Sequence, residues 1–161
     1  MFDENHGRLR VIIPLLRTIE MLIDRLCLES LIGQDPFTRG LLAKLQSELA
    51  QTTDIAFITA IMNVSSSLIS PSSASQKEAV AFVCGLLRHQ FPHIRRLAAG
   101  KLYVRLLEAD FGSNDERSTG IDILVNHPWE SDKGKAFDRS ANFCEAASEV
   151  SKALHVDGLL Q

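Results

Sequence analysis

Long apolar runs are missing from this 161-residue chain. Arg17, Glu20, Asp24 and Arg25 interrupt its most hydrophobic stretch, so a segment of about 18 apolar residues never forms and no membrane span is expected. The start, Met1-Phe2-Asp3-Glu4-Asn5-His6, has no basic region followed by an apolar one, and so does not read as a signal peptide. Cysteine is sparse. Cys27, Cys84 and Cys144 are odd in number, widely spaced and without a CxxC, which argues against a disulfide framework and for a reducing, cytoplasmic setting. Each falls in an apolar-periodic stretch, so all three are expected as inert core thiols. Aromatics make up 6% and do not interleave with basic residues, so nucleic acid is not expected as a partner.

Reactive constellations are equally scarce. There is no GxSxG. Gly100-Lys101-Leu102 and Gly134-Lys135-Ala136 lack the upstream glycine and the following Ser/Thr of a phosphate loop. His89 and His93 have the H-x3-H spacing of a helical zinc site, but Pro92 between them should break the helix, and no Cys or carboxylate cluster completes four ligands. Carboxylate pairs such as Asp115-Glu116 lie in polar loops, where nothing should raise a pKa. The expectation is a non-enzyme with no catalytic residue, no cofactor and no metal.

What remains is an ordinary globular composition, 45% apolar and 23% charged, of a length that suits one domain, residues 1–161. Net charge is −3, but it is uneven. Residues 1–107 hold 12 Lys+Arg against 9 Asp+Glu, whereas residues 108–161 hold 5 against 11.

Apolar residues recur at three- to four-residue spacing throughout, the signature of amphipathic helices. Ile12, Leu15/Leu16, Ile19, Leu22/Ile23 and Leu26 mark a first helix from about Val11 or Pro14 to Glu29, with Pro14 in its first turn and Gly33 as its stop. Asp35-Pro36 starts a second helix. Thr53-Asp54 starts a third, whose added Phe57, Ala60 and Val64 predict burial on more than one side. A capping box, Ser75-Gln76-Lys77-Glu78, opens a fourth, and Phe91-Pro92 a fifth. Ile121, Leu124 and Val125 mark a short sixth after the loop Gly112-Ser113-Asn114-Asp115. Phe137 to Leu154 forms a seventh, ended by Asp157-Gly158. No segment alternates with period two. Corresponding starts lie about 40 residues apart (Pro14 to Asp54, Pro36 to Ser75, Asp54 to Pro92), as in HEAT or armadillo helix pairs. The fold expected is all-α, a HEAT/armadillo-like helical-repeat segment of about seven helices.

Two stretches carry a family resemblance. Arg10-Val11-Ile12-Ile13-Pro14-Leu15-Leu16-Arg17-Thr18-Ile19, followed by Asp35-Pro36-Phe37, resembles the "RVxVPLLKTL … HPF" segment of the tubulin-folding cofactor D family. Phe91-Pro92-His93-Ile94-Arg95-Arg96, with Ala98, Lys101-Leu102-Tyr103 and Leu106, resembles that family's late "HPFPxIRxxxAxxxYexL" helix. Ile123 to Glu130, holding the single Trp129, is similar to the turn before its last helix. The acidic residue that usually precedes a HEAT "VR" pair is absent, since Leu87-Arg88-His89-Gln90 stand there. The resemblance implies the C-terminal domain of a HEAT-like solenoid chaperone in the cytoplasm, associated with the cytoskeleton. Such a chaperone captures β-tubulin, works with tubulin cofactors C and E, and is linked to an Arl-type small GTPase. GTP hydrolysis takes place on tubulin, so no chemistry is asked of the chaperone.

A protein-binding set follows: Arg95, Arg96, Lys101, Arg105 and Trp129. Arg95 and Arg96 read either as contacts for an acidic partner or as a seam arginine bonding helix-end carbonyls. Trp129 reads either as a partner anchor or as a plug between the fifth and seventh helices. Helix one, with Val11, Ile12, Leu15 and Ile19, should need cover from residues 1–10 or from self-association with a second copy. A rival reading is a self-contained importin- or armadillo-like adaptor with no tubulin role, taking basic peptides.

Overall fold

The computed structural model describes residues 8–109, 111–130 and 139–159. Eight α-helices and no strand occur among them: α1 (Leu9–Asp24), α2 (Glu29–Ile32), α3 (Asp35–Ala50), α4 (Ile55–Ser67), α5 (Gln76–Leu86), α6 (Pro92–Glu108), α7 (Asn114–Asn126) and α8 (Arg139–Ala153). The seven helices expected are all there; the addition is the four-residue α2. Residues 131–138, which include Phe137 and part of the expected loop around Trp129, lie outside the described residues.

The helices form two rows. In one, α1 packs on α4, α4 on α6, and α6 on α7; in the other, α3 packs on α5 and α5 on α8. Contacts of α3 with α4, α4 with α5, α5 with α6, and α7 with α8 join the rows. In the middle of the molecule, helices two apart in sequence (α3 with α5, α4 with α6) thus stack side by side, the arrangement of a helical-repeat segment. The period drifts. α3 and α5 begin at 35 and 76, 41 apart; α4 and α6 begin at 55 and 92, 37 apart; α1 and α4 begin at 9 and 55, 46 apart, with α2 between them.

α4 is the axis of the core. It touches α1, α3, α5 and α6, and Phe57, Ile58, Ile61, Met62 and Val64 are buried together with Ser65, Ser66 and Ser67. Each buried large apolar side chain contributes about 1.5–3 kcal/mol. Two of the serines satisfy themselves locally: Ser65 Oγ donates to Ile61 O at 2.9 Å and Ser66 Oγ to Asn63 O at 2.8 Å. Asp54 caps the helix, its Oδ1 accepting from Phe57 N at 2.8 Å.

Several local expectations change. α1 begins at Leu9, so Pro14 lies inside it rather than in its first turn. It ends at Asp24 rather than Glu29, and its stop is not Gly33 but Leu26, whose φ of 60° is left-handed. Cys27 N donates to Leu22 O and Leu26 N to Ile23 O, both at 2.9 Å, the paired bonds of a Schellman motif. His155, φ 51°, ends α8 in the same way, with Val156 N on Ser151 O and His155 N on Lys152 O; Gly158 is not the stop. The Ser75–Glu78 capping box does not form. Ser75 is buried, its hydroxyl lies 2.9 Å from Thr38 Oγ1 and donates to Asp35 Oδ1 at 3.2 Å, and Glu78 pairs with Arg39. The capping box that does form is Ser113–Glu116 on α7. Only Cys84 is a core thiol. Cys27 and Cys144 are exposed, one beyond the helix end that Leu26 sets, the other on the outward stripe of α8.

Candidate functional site

A groove of about 700 Å³ runs between the C-terminal end of α1 and the length of α6. The sequence builds it from two helix faces. α6 turns Ile94, Ala98, Leu102 and Leu106 into the core. Its next stripe, His93, Leu97, Gly100/Lys101, Val104 and Glu108, falls on the groove. α1 contributes Ile23 and Asp24, its Schellman stop contributes Leu26, and Ser67 at the end of α4 and Ser70 beyond it complete the lining.

Leu26 is the unusual wall. It is 61% exposed and holds a positive φ, where a Cβ costs about 1–2 kcal/mol and glycine is the usual occupant. Neither burial nor backbone geometry accounts for a leucine here. Val104 is likewise exposed on the opposite wall.

Three of the five residues expected from the sequence meet at this groove. Arg105 Nη2 donates to Asp24 Oδ1 at 2.6 Å and to Ser67 Oγ at 3.2 Å, and Nη1 donates to Glu108 Oε2 at 3.3 Å, tying α6 to α1 over the end of α4. Lys101 Nζ lies 4.0 Å from Glu20 Oε1, and Glu20 Oε2 also accepts from Asn63 Nδ2 at 3.3 Å. These two cations brace the floor. Arg96 is exposed and pairs with exposed Glu130. Ion pairs of that kind contribute about 0–1 kcal/mol, so this one adds little to the fold.

The other two residues lie inside. Arg95 is 2% exposed. Its Nε donates to Trp129 O at 3.2 Å, and Nη1 to His89 O at 3.0 Å and Gln90 O at 3.1 Å. Its guanidinium sits 4.1 Å from the Phe143 ring centroid. The planar fork therefore joins the α5–α6 turn, the turn after α7, and α8. Burial first, and the Arg95 charge second, hold His89 and His127 below the ordinary imidazole value. Trp129 is buried as well, with Nε1 donating to Leu124 O at 2.9 Å and the ring edge-on to His127. That bond ties the turn back to α7, and Trp129 lines a small hollow with Ala99 and Tyr103 of α6. Adjacent residues 95 and 96 thus part company, because a helix turns about 100° per residue.

The sequence marked Leu26 and Leu97 as members of apolar helix stripes and did not mark Val104; none of the three stood out as a binding residue, because a left-handed turn and a groove wall leave no trace in a hydropathy pattern. No group of three or more His, Cys, Asp or Glu among the described residues could hold a metal ion, and no helix there is long and apolar enough to cross a membrane.

No solved structure matches the chain. One wall of the groove, with α1, α2 and α3, lies within a segment that has a known counterpart, whereas α6 lies beyond it. Residues 1–56, about a third of the chain, match the family described as tubulin folding cofactor D C terminal, and over that span the family resemblance read from the sequence holds.

Proposed function

We propose that this chain is a non-catalytic protein-binding scaffold, the C-terminal HEAT-like domain of a cytoplasmic tubulin-folding chaperone, and that the α1–α6 groove is where it takes hold of β-tubulin. Tubulin cofactors C and E and an Arl-type small GTPase are the further partners this reading brings. The match over residues 1–56 supports a role in tubulin folding. The observation that carries the groove is Leu26: an exposed leucine kept in a conformation that costs it free energy, facing exposed Val104 across a cleft with Arg96 at its end. Strain of this kind, at a site where packing does not require it, is a mark of function. Leu26, Leu97 and Val104 supply the apolar anchor, and Arg96 exchanges Glu130 for an acidic group of the partner. Arg95 and Trp129 serve by holding α6, α7 and α8 in register, not by contact.

The test is a titration of the fluorescently labelled chain with tubulin, read by anisotropy. Leu26→Gly combined with Val104→Ser should weaken binding about tenfold or more, in keeping with loss of central anchors. Gln46→Ala, on the far side of α3, should not. Unchanged binding by the folded double variant, or no binding by the unaltered chain, would refute the reading. Capture of basic peptides in place of tubulin would favour the adaptor alternative.

A further inference from the structure

The two ends of the helix rows carry opposite charge. α1 turns Ile12, Leu16 and Ile23 toward the core. The opposite stripe, Arg10, Pro14, Arg17, Met21 and Arg25, is exposed, and it points away from α4 along the stacking direction. None of those arginines has an ion-pair partner among the described residues. At the far end of the rows, α7 and α8 enclose a cleft of about 520 Å³ lined by Asp122, Glu145 and Glu149. Asp115 lies on the same exposed stripe of α7 as Asp122, and Val125 beside them is exposed. These carboxylates likewise have no ion-pair partner among the described residues. The imbalance in the sequence, basic before residue 108 and acidic after it, therefore ends up as two faces.

We propose that these faces fit each other: the arginine face of α1 docks into the acidic α7–α8 cleft of a second copy of this chain, head to tail. The spacing agrees. Arg10 and Arg17 are seven residues apart on α1, and so are Asp115 and Asp122 on α7; each interval is two turns, about 10.5 Å. With α1 and α7 parallel, Met21, four residues past Arg17, comes against Val125, three residues past Asp122. Docking of this kind continues the rows of helices from one copy into the next. It is heterologous, using different surfaces on the two copies, so it propagates into short rods instead of closing as a dimer.

Sedimentation velocity on the purified full chain tests this. At about 20 mM salt the weight-average mass should rise past that of two chains as concentration approaches about 1 mM, and at about 500 mM salt it should return to that of one chain. Arg10→Glu with Arg17→Glu should remain single, and so should Glu145→Lys with Glu149→Lys. An equimolar mixture of the two variants should associate again, because each reversed face then meets its complement. All four positions are exposed, and circular dichroism verifies that the variants fold. A single-chain mass under every condition, a mass that stops at two chains, association that survives either reversal, or a mixture that does not associate would each overturn the proposal. So would a chain that stays single yet floats with phosphatidylserine vesicles through the same arginines, which would assign the face to a lipid surface.

Discussion

Replacing Arg95 with alanine should be among the most damaging single changes in this molecule. The side chain is 2% exposed and donates to three carbonyl oxygens that belong to two separate turns. Hydrogen bonds from a charged donor contribute about 1.5–3 kcal/mol each, and they are not additive. Leaving buried carbonyl acceptors without their donor costs about 1–3 kcal/mol each, and the lost contact with the Phe143 ring acts in the same direction. An expected loss of about 4 kcal/mol is a large share of the roughly 5–15 kcal/mol that holds a domain of this kind together. At about 2–4 °C per kcal/mol for this size, Tm should fall by roughly 8–16 °C. Arg95→Lys keeps the charge but replaces the fork with a point donor, so it should recover only about half of the loss. Urea unfolding followed by circular dichroism, fitted with a shared m-value, measures both. An alanine variant within about 1 kcal/mol of the unaltered chain would refute the account of the seam. A lysine variant with full stability would refute the part assigned to fork geometry.

Leu26 should reverse the usual order of glycine and alanine. Leu26→Ala keeps the left-handed strain and loses contact area, whereas Leu26→Gly relieves the strain, so glycine should be the more stable by about 1 kcal/mol in the same urea assay; equal stability, or alanine ahead, would remove the strain argument. Helix glycines should divide by the room around them. A Cβ at Gly40 meets nothing within 4 Å, so Gly40→Ala should stabilise by about 0.5–1 kcal/mol. One at Gly120 would lie 2.9 Å from Leu154 Cδ2, whose side chain is itself buried, so Gly120→Ala should lose about 1–3 kcal/mol to overpacking; Tm values that fail to separate the two would count against the packing of α7 on α8. In the folded chain, a thiol reagent at pH 8 should label Cys27 and Cys144 and leave Cys84, whose thiol burial pushes up to about 12; mass spectrometry reads the sites, and rapid labelling of Cys84 would contradict its burial.

Much of the fold was legible because helix formation is a local property with a period that hydropathy reveals. The stripe Ile12, Leu16, Ile23 marks α1, and Asp54 and Pro92 mark the starts of α4 and α6 as local chemistry predicts. The capping boxes show where local reading stops. Ser75–Glu78 and Ser113–Glu116 are the same motif, yet only the second caps its helix, because Thr38 and Asp35 draw in the hydroxyl of Ser75. The groove was half legible. Lys101 and Arg105 lie one turn apart by spacing alone, but Arg96 is turned about 140° or more away from them, and Asp24, Leu26 and Ser67 come to the groove from α1, the turn after it and the end of α4.

The sequence alone determined seven main helices, their buried stripes and a charge asymmetry, because each depends on neighbours within a turn or two of helix. Which of two adjacent arginines became a core strut, where α1 stopped, and that the basic and acidic residues gather at opposite ends were decided only when the helices packed into two rows. Those outcomes depend on which distant surface each side chain meets, and a one-dimensional pattern carries no record of that meeting.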